Sequence, residues 1–236
     1  MSGGGQPAYK TAFIVGAGSG LSASLARLLK AEGMQIALGA RNVEKLAALA
    51  RETGALAVAC DAARADSVAA AFAAVDAKLG SPDVVIFNPS ARVRGPLIDL
   101  DVAAVEKALA ISAYGGLLVA QQAAKRMLPK NSGAILFTGA SASVKGYPLS
   151  ATFAMGKFAL RGLAQSIARE LAPQGIHVAH FVIDGGIRSA TRIEPGNAPD
   201  SMLDPDAIAR SYLHVLQQHR SAWTWEVELR PWVEKF

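Results

Sequence analysis

Short apolar runs rich in β-branched residues alternate along the chain with longer alanine-rich stretches. Residues 11–15 precede a helical pattern over 21–31, residues 34–38 precede one over 43–52, and residues 55–59 precede one over 66–79. The series continues with apolar runs at 84–87, 134–137 and 176–183 and helical stretches around 102–127 and 150–171. Strand, helix, strand repeated in this way predicts a mostly parallel sheet, joined by right-handed crossovers and covered by helices on both faces. The runs are continuously apolar, as strands buried on both faces are. The expected fold class is therefore α/β, a single doubly wound domain.

The texture changes after Gly185, where Gly186, Pro195, Gly196, Pro199 and Pro205 interrupt any long helix. Residues 186–205 are expected to form a lid loop, followed by a helix near 206–218 and a last strand at 224–229. The domain is expected to span 8–236 behind a flexible N-terminal segment, 1–7.

Composition narrows the function classes. The chain has 236 residues, 51% hydrophobic and 18% charged, which argues for a folded core and against disorder. Its net charge of +5 is spread out, with no run of five basic residues, so nucleic acid is not an expected partner. A single cysteine, Cys60, excludes an internal disulfide, and Met1 to Gln6 carry no apolar signal segment, so the expected location is cytoplasmic. The longest uncharged stretch, 108–124, is polar in places and shorter than a bilayer span, and it is read as a buried helix. His177, His180, His214 and His219 form no metal-type cluster, so no metal is expected.

Candidate chemistry begins directly after the first strand, at Gly16, Ala17, Gly18, Ser19, Gly20, Leu21 and Ser22. A glycine-rich turn from strand into helix lets backbone N–H groups approach a pyrophosphate, and the helix dipole favours the negative charge. At the end of the second strand stands Arg41 rather than an acidic residue. An acid there would bind the adenosine ribose of NAD, whereas a guanidinium can pair with a 2′-phosphate, so NADP(H) is the expected cofactor; the bland alternative is a solvated helix-start residue.

Taken together, these positions resemble the short-chain dehydrogenase/reductase family over nearly the whole chain, which implies a Rossmann-like fold. That family's Thr-Gly-x-x-x-Gly-x-Gly motif is matched at Gly16 and Gly20 and departs at Val15 and Ser22. The resemblance implies that Asp61 contacts the adenine and that Asn88, Pro89 and Ser90 correspond to the family's Asn-Asn-Ala-Gly segment. It also implies that Gly185, Ile187 and Ser189 hold the nicotinamide end.

The family's chemistry, by the same resemblance, rests on a tyrosine four residues before a lysine, with a serine after the fifth strand and an asparagine in the preceding long helix. Four residues is one helical turn, so both side chains share a face. This chain has the lysine, Lys157, with Phe153 at the tyrosine position, Ala140 at the serine position and Ser112 at the asparagine position. Phenylalanine cannot exchange a proton. Loss of acid–base help costs roughly 10² to 10⁴ in rate.

Three readings follow. In the first, the protein is an NADP(H)-dependent oxidoreductase acting on a small carbonyl or alcohol, with Ser141, Ser143, Tyr147 or a water on Lys157 supplying the proton; Ser141 is the better candidate for substrate contact, and Tyr147 also reads as a loop aromatic. In the second, the substrate is an activated alkene. In the third, the chain is a catalytically inactive NADP(H)-binding sensor or subunit. Arg92, Arg94, Arg188 and Arg192 fall where an open α/β sheet binds ligands and suggest an anionic small-molecule substrate. The apolar 108–124 helix suggests a homodimer or homotetramer.

Overall fold

Burial on both sides of each central strand dictates the architecture. In a computed structural model describing residues 9–234, every residue of β1 (Thr11–Val15), β4 (Val84–Phe87), β5 (Gly133–Thr138) and β6 (Ile176–Ile183) is buried. Residues 1–8 and 235–236 lie outside the described residues, and with them the N-terminal segment 1–7 and the last two residues of the tail. Side chains alternate between two cores. Ala12, Ile14, Val84, Ile86, Ala134 and Leu136 meet one, while Phe13, Val15, Val85, Phe87, Ile135 and Phe137 meet the other.

The seven strands, completed by β2 (Gln35–Ala40), β3 (Leu56–Ala59) and β7 (Glu226–Leu229), form one sheet in the order β3-β2-β1-β4-β5-β6-β7, with every pairing parallel. Helices α1 (Leu21–Ala31), α2 (Ala47–Thr53) and α7 (Pro205–Leu216) cover the first core. Helices α3 (Ala65–Leu79), α5 (Gly115–Met127) and α6 (Ala151–Leu171) cover the second. This is the doubly wound fold expected from the hydrophobic pattern, of the Rossmann type that the family resemblance implies.

Three expectations need correction. Helix α4 (Val102–Leu109), a π turn at Ala110–Tyr114 and α5 run on as a single 29-residue helical stretch, Val102–Lys130, long and apolar enough to reach across a bilayer. It is also not buried all round: Val119, Ala120, Ala123 and Met127 pack on the sheet, while Tyr114 and Leu117 face outward. The irregular segment after β6 ends one residue sooner than expected, because Asp204 caps α7 through bonds from the backbone N–H of Asp206 (2.7 Å) and Ala207 (3.4 Å), with Pro205 in the first turn. The last strand covers only Glu226–Leu229, so Thr224 and Trp225 precede it, and Trp223 stacks on His177 with ring centroids 4.6 Å apart.

Asp83, just before β4, ties the far end of the sheet together. Its carboxylate accepts from the backbone N–H of Lys10 (2.9 Å) and Thr11 (3.3 Å) and pairs with Lys130 (2.8 Å) at the approach to β5. Replacing it strands two backbone donors at the start of the first strand. Asp83→Ala should lower unfolding stability by about 2 kcal/mol, read as a drop in the urea midpoint without a change in slope; an unchanged midpoint would refute this role.

Candidate active site

In a sheet of this order the connections leaving β1 and β4 diverge to opposite faces, and a crevice opens at the carboxyl ends of the strands. A cleft of about 580 Å³ lies there, walled by the β1–α1 turn, the ends of β2 and β3 and the segment following β4. Gly16 makes the crevice possible. Its φ of +79° is in the left-handed region, and a Cβ placed on it would lie 2.6 Å from the Pro89 nitrogen. The turn is held by Gly16 and Ala17 N–H groups, both donating to the Gly39 carbonyl at 2.9 Å. Asn88 Nδ2 donates to Ser22 Oγ (2.7 Å), which donates in turn to the Gly16 carbonyl (3.3 Å). Ser22 is therefore a bonded member of the turn as well as a small residue for packing.

Gly18 and Gly20 serve a different purpose. A Cβ on either would meet nothing within 4 Å, so their lack of a side chain frees space instead of relieving a clash. No side chain caps the N-terminus of α1. A glycine turn that leaves open space before an uncapped helix N-terminus fits a pyrophosphate.

Of the predicted cofactor residues, Gly16, Gly18, Ser19, Arg41, Asp61, Asn88 and Pro89 line this cleft. Gly20, Leu21, Lys157, Gly185, Ile187 and Ser189 are not on its wall. Gly20 is the helix cap, and the Leu21 side chain is 5% exposed and points into the core, so only its backbone is offered to a ligand. Sequence reasoning missed Asn42, Lys45, Cys60 and Ile111 on the wall. Lys45 was detectable as a second cation one turn beyond Arg41. Ile111 was not, because it reaches the cleft through the π turn. Cys60 is no nucleophile here: burial first, then the Asp61 carboxylate, pushes its thiol up to about 12.

Beyond the cleft, the ends of β5 and β6 carry the other candidates. Lys157 is buried on α6, its ammonium donating to the Thr138 carbonyl at 2.7 Å. Desolvation, with a smaller contribution from the Arg92 charge, lowers its pKa to about 7. Phe153, one turn earlier, is also buried, and the Arg92 guanidinium lies 3.9 Å from its ring centroid. Ser112, in the π turn, accepts from Ala91 N–H (3.0 Å) beside Gly156 of α6.

The hydroxyl candidates separate clearly. Ser141 is half-buried in the short 3₁₀ turn Ser141–Ser143 after β5, and Tyr147 is exposed in the loop before α6. Ser143 is fully buried and meets His180 Nε2 (3.2 Å); His180 Nδ1 meets Glu226 (3.2 Å), which takes a two-pronged bond from Arg161 (2.6 and 2.8 Å). Burial lowers the His180 pKa to about 4, so the imidazole is neutral and the bonded series is a structural link between β6, β7 and α6. Ile187 bridges to Leu203, and Ser189 forms a turn with Arg192. Arg188, expected among the anion-binding cations, is already committed to Asp204 and Glu194.

The fold and the cleft together fit a dinucleotide-binding α/β protein. The match of residues 10–196 to the short chain dehydrogenase family model makes the chain a member of that family. It is 34% identical over 176 residues to cis-4-hydroxycyclohexanecarboxylate dehydrogenase of Sinomonas cyclohexanicum, covering 72% of this chain and 71% of the relative. It is 31% identical to D-threitol dehydrogenase of Mycolicibacterium smegmatis over 174 residues, 72% of this chain and 67% of that one. A solved short-chain dehydrogenase from Rhodopseudomonas palustris is 38% identical, with a TM-score of 0.81 over 96% of this chain and 100% of its own. A metagenomic short-chain oxidoreductase solved in complex with NADP is 28% identical, with a TM-score of 0.82 over 95% and 98% of the two chains. The protein is an NAD(P)-dependent oxidoreductase of this family.

The buried lysine has a measurable signature. The unfolded chain keeps this proton to about pH 10, whereas the native state releases it near 7, so this group makes stability rise with pH across that interval. Lys157→Met removes the contribution. The stability of the variant relative to the parent should therefore be greater at pH 7 than at pH 9 by about 2 kcal/mol, in paired urea titrations. An equal difference at both pH values would show that the ammonium is not desolvated.

Proposed function

We propose that the protein transfers hydride between NADP(H) and a small carbonyl or alcohol substrate, at a site that lacks the family's phenolic proton donor. The observation that carries the cofactor choice is the pair Arg41 and Lys45 on the wall of the glycine-loop cleft. Two cations at the end of β2 suit a 2′-phosphate, while a ribose hydroxyl would call for an acid. The NADP complex of the 28%-identical metagenomic relative supports this choice. Support for an alcohol or carbonyl comes from the two dehydrogenases named for hydroxylated compounds.

NADP(H), when bound, supplies or accepts the hydride. The protein's part is positioning and charge. The β1–α1 turn and the α1 N-terminus hold the pyrophosphate, Arg41 and Lys45 the 2′-phosphate, and Asp61 the adenine end. Lys157, fixed by the Thr138 carbonyl, holds the nicotinamide ribose. Phe153 offers no hydroxyl where the family's tyrosine would stand, so the proton at the substrate oxygen comes from Ser141, from Tyr147 or from water near Lys157. An activated alkene, protonated only after hydride arrives, avoids that requirement. Gly185, Ile187 and Ser189 border the nicotinamide end, within a single NADP-binding domain whose segment 186–205 acts as a lid.

Two variants test this reading. Arg41→Ala with Lys45→Ala should weaken NADPH binding about 10- to 100-fold and leave NADH binding unchanged, by fluorescence titration. Phe153→Tyr should raise ketone reduction by roughly 10² or more. Failure of the parent protein to prefer NADPH over NADH would overturn the cofactor assignment. An unimproved Phe153→Tyr protein would show that residue 153 is not what limits proton supply.

A further inference from the structure

Strand β6 has eight residues and β7 only four, so β7 pairs along the second half of β6 and no further. The pairing begins at His180, whose N–H donates to the Trp225 carbonyl (2.8 Å). Before that point the chain bends at Trp225, and the link to β6 passes through a side chain, His177 Nε2 donating to the Thr224 carbonyl (2.9 Å). A cavity of about 330 Å³ opens where the strand pairing stops, between residues 223–225, the start of β6 and the end of α6. That volume falls at the lower end of the range for small-molecule sites. The cavity lies at the amino end of β6, whereas the cofactor cleft lies at the carboxyl ends of the strands, so a strand length of about 25 Å or more separates them.

The aromatic wall of this cavity is held in place by hydrogen bonds and stacking. Gln218 brackets Thr224 with both ends of its amide, Thr224 N–H donating to Oε1 (2.8 Å) and Nε2 donating to Thr224 Oγ1 (3.0 Å). The Gln218 carbonyl accepts from Trp223 Nε1 (3.3 Å), and the Trp223 indole lies flat on His177, its plane 5° from parallel. The second indole, Trp225, has the Arg161 guanidinium 5.6 Å from its ring centroid. Ala168 and Ala172, at the end of α6, also line the cavity, and their short side chains leave it room. Aromatic groups fixed in advance lose little freedom when a ligand stacks on them.

One cation completes the lining. Arg169 is exposed on the last turn of α6, and its Nη1 donates to the Gln165 carbonyl (2.9 Å), one turn back. Among the described residues no carboxylate pairs with it. The rest of its planar fork is therefore open to an anion, and a guanidinium matches the two oxygens of a carboxylate.

We propose that this cavity is a ligand site, separate from the cofactor cleft, for a small aromatic carboxylate. The ring of the ligand lies against the Trp223 and Trp225 indoles, and its carboxylate pairs with Arg169. The site is independent of the hydride chemistry proposed above and of the cofactor.

The test is calorimetric titration of 3-phenylpropanoate into the protein, with and without saturating NADP⁺, followed in parallel by tryptophan fluorescence. Saturable binding that NADP⁺ leaves unchanged is expected. It should weaken at least about tenfold in Arg169→Gln, and by a similar factor when 3-phenylpropanamide, which lacks the charge, replaces the acid. Ala172→Leu fills the cavity and should abolish binding, with circular dichroism showing that both variants fold. Absence of saturable binding by the parent, displacement by NADP⁺, equal affinity for acid and amide, or tighter binding of 2-phenylethylammonium would each overturn the site. A changed oligomeric state of Ala172→Leu in sedimentation would overturn it as well, because the cavity would then be a contact between copies of the chain.

Discussion

The site depends on one close approach, the backbone of Gly16 against Pro89. Strand order reverses between β1 and β4, so the two following segments leave toward opposite faces and must cross the top of the sheet side by side. They can do so at this distance only because Gly16 lacks a Cβ and adopts a positive φ. The bonds from Asn88 to Ser22 and from Ser22 to Gly16 then lock the two segments in register. The same lock aims the α1 N-terminus and the residues after Asn88, so it orients both the nucleotide wall and the arginines that continue from it.

The other half of the site is held by buried polar bonds. Thr138 ends β5 with its carbonyl on Lys157 and its hydroxyl 2.8 Å from the fully buried Tyr212 hydroxyl of α7. Both cores therefore converge on this residue, one through α6 and the other through α7. Ser143, His180, Glu226 and Arg161 fasten the short edge strand β7 to β6 and α6. Buried groups of this kind are costly when unpaired, which is why the end of β5, where a displacement of Lys157 would matter most, is so densely bonded.

Much of this was legible in the sequence. The limits of β1, α1, β4 and β6 follow from apolar runs bounded by turn residues, the glycine turn and Arg41 from their places after the first two strands, and Lys157 from the family resemblance alone. What was not legible depends on neighbours distant in the chain. Ser112 reads as a substitute at one position of a motif, yet its hydroxyl fixes Ala91, 21 residues away. Asp83 carries no motif at all, and its role depends on Lys10, Thr11 and Lys130 meeting at one end of the sheet. The four arginines looked equivalent by position along the chain. Only three-dimensional proximity shows that Arg188 has carboxylate partners, Glu194 and Asp204.

Phe153 carries no hydroxyl, and its ring also shapes the electrostatics around it. An aromatic face free of a hydroxyl still attracts a cation through its quadrupole, and Arg92 occupies that face. Its charge adds to desolvation in holding the Lys157 ammonium near neutrality. Phe153, by seating Arg92 near Lys157, therefore fixes the second of the two influences on the buried lysine, after its desolvation.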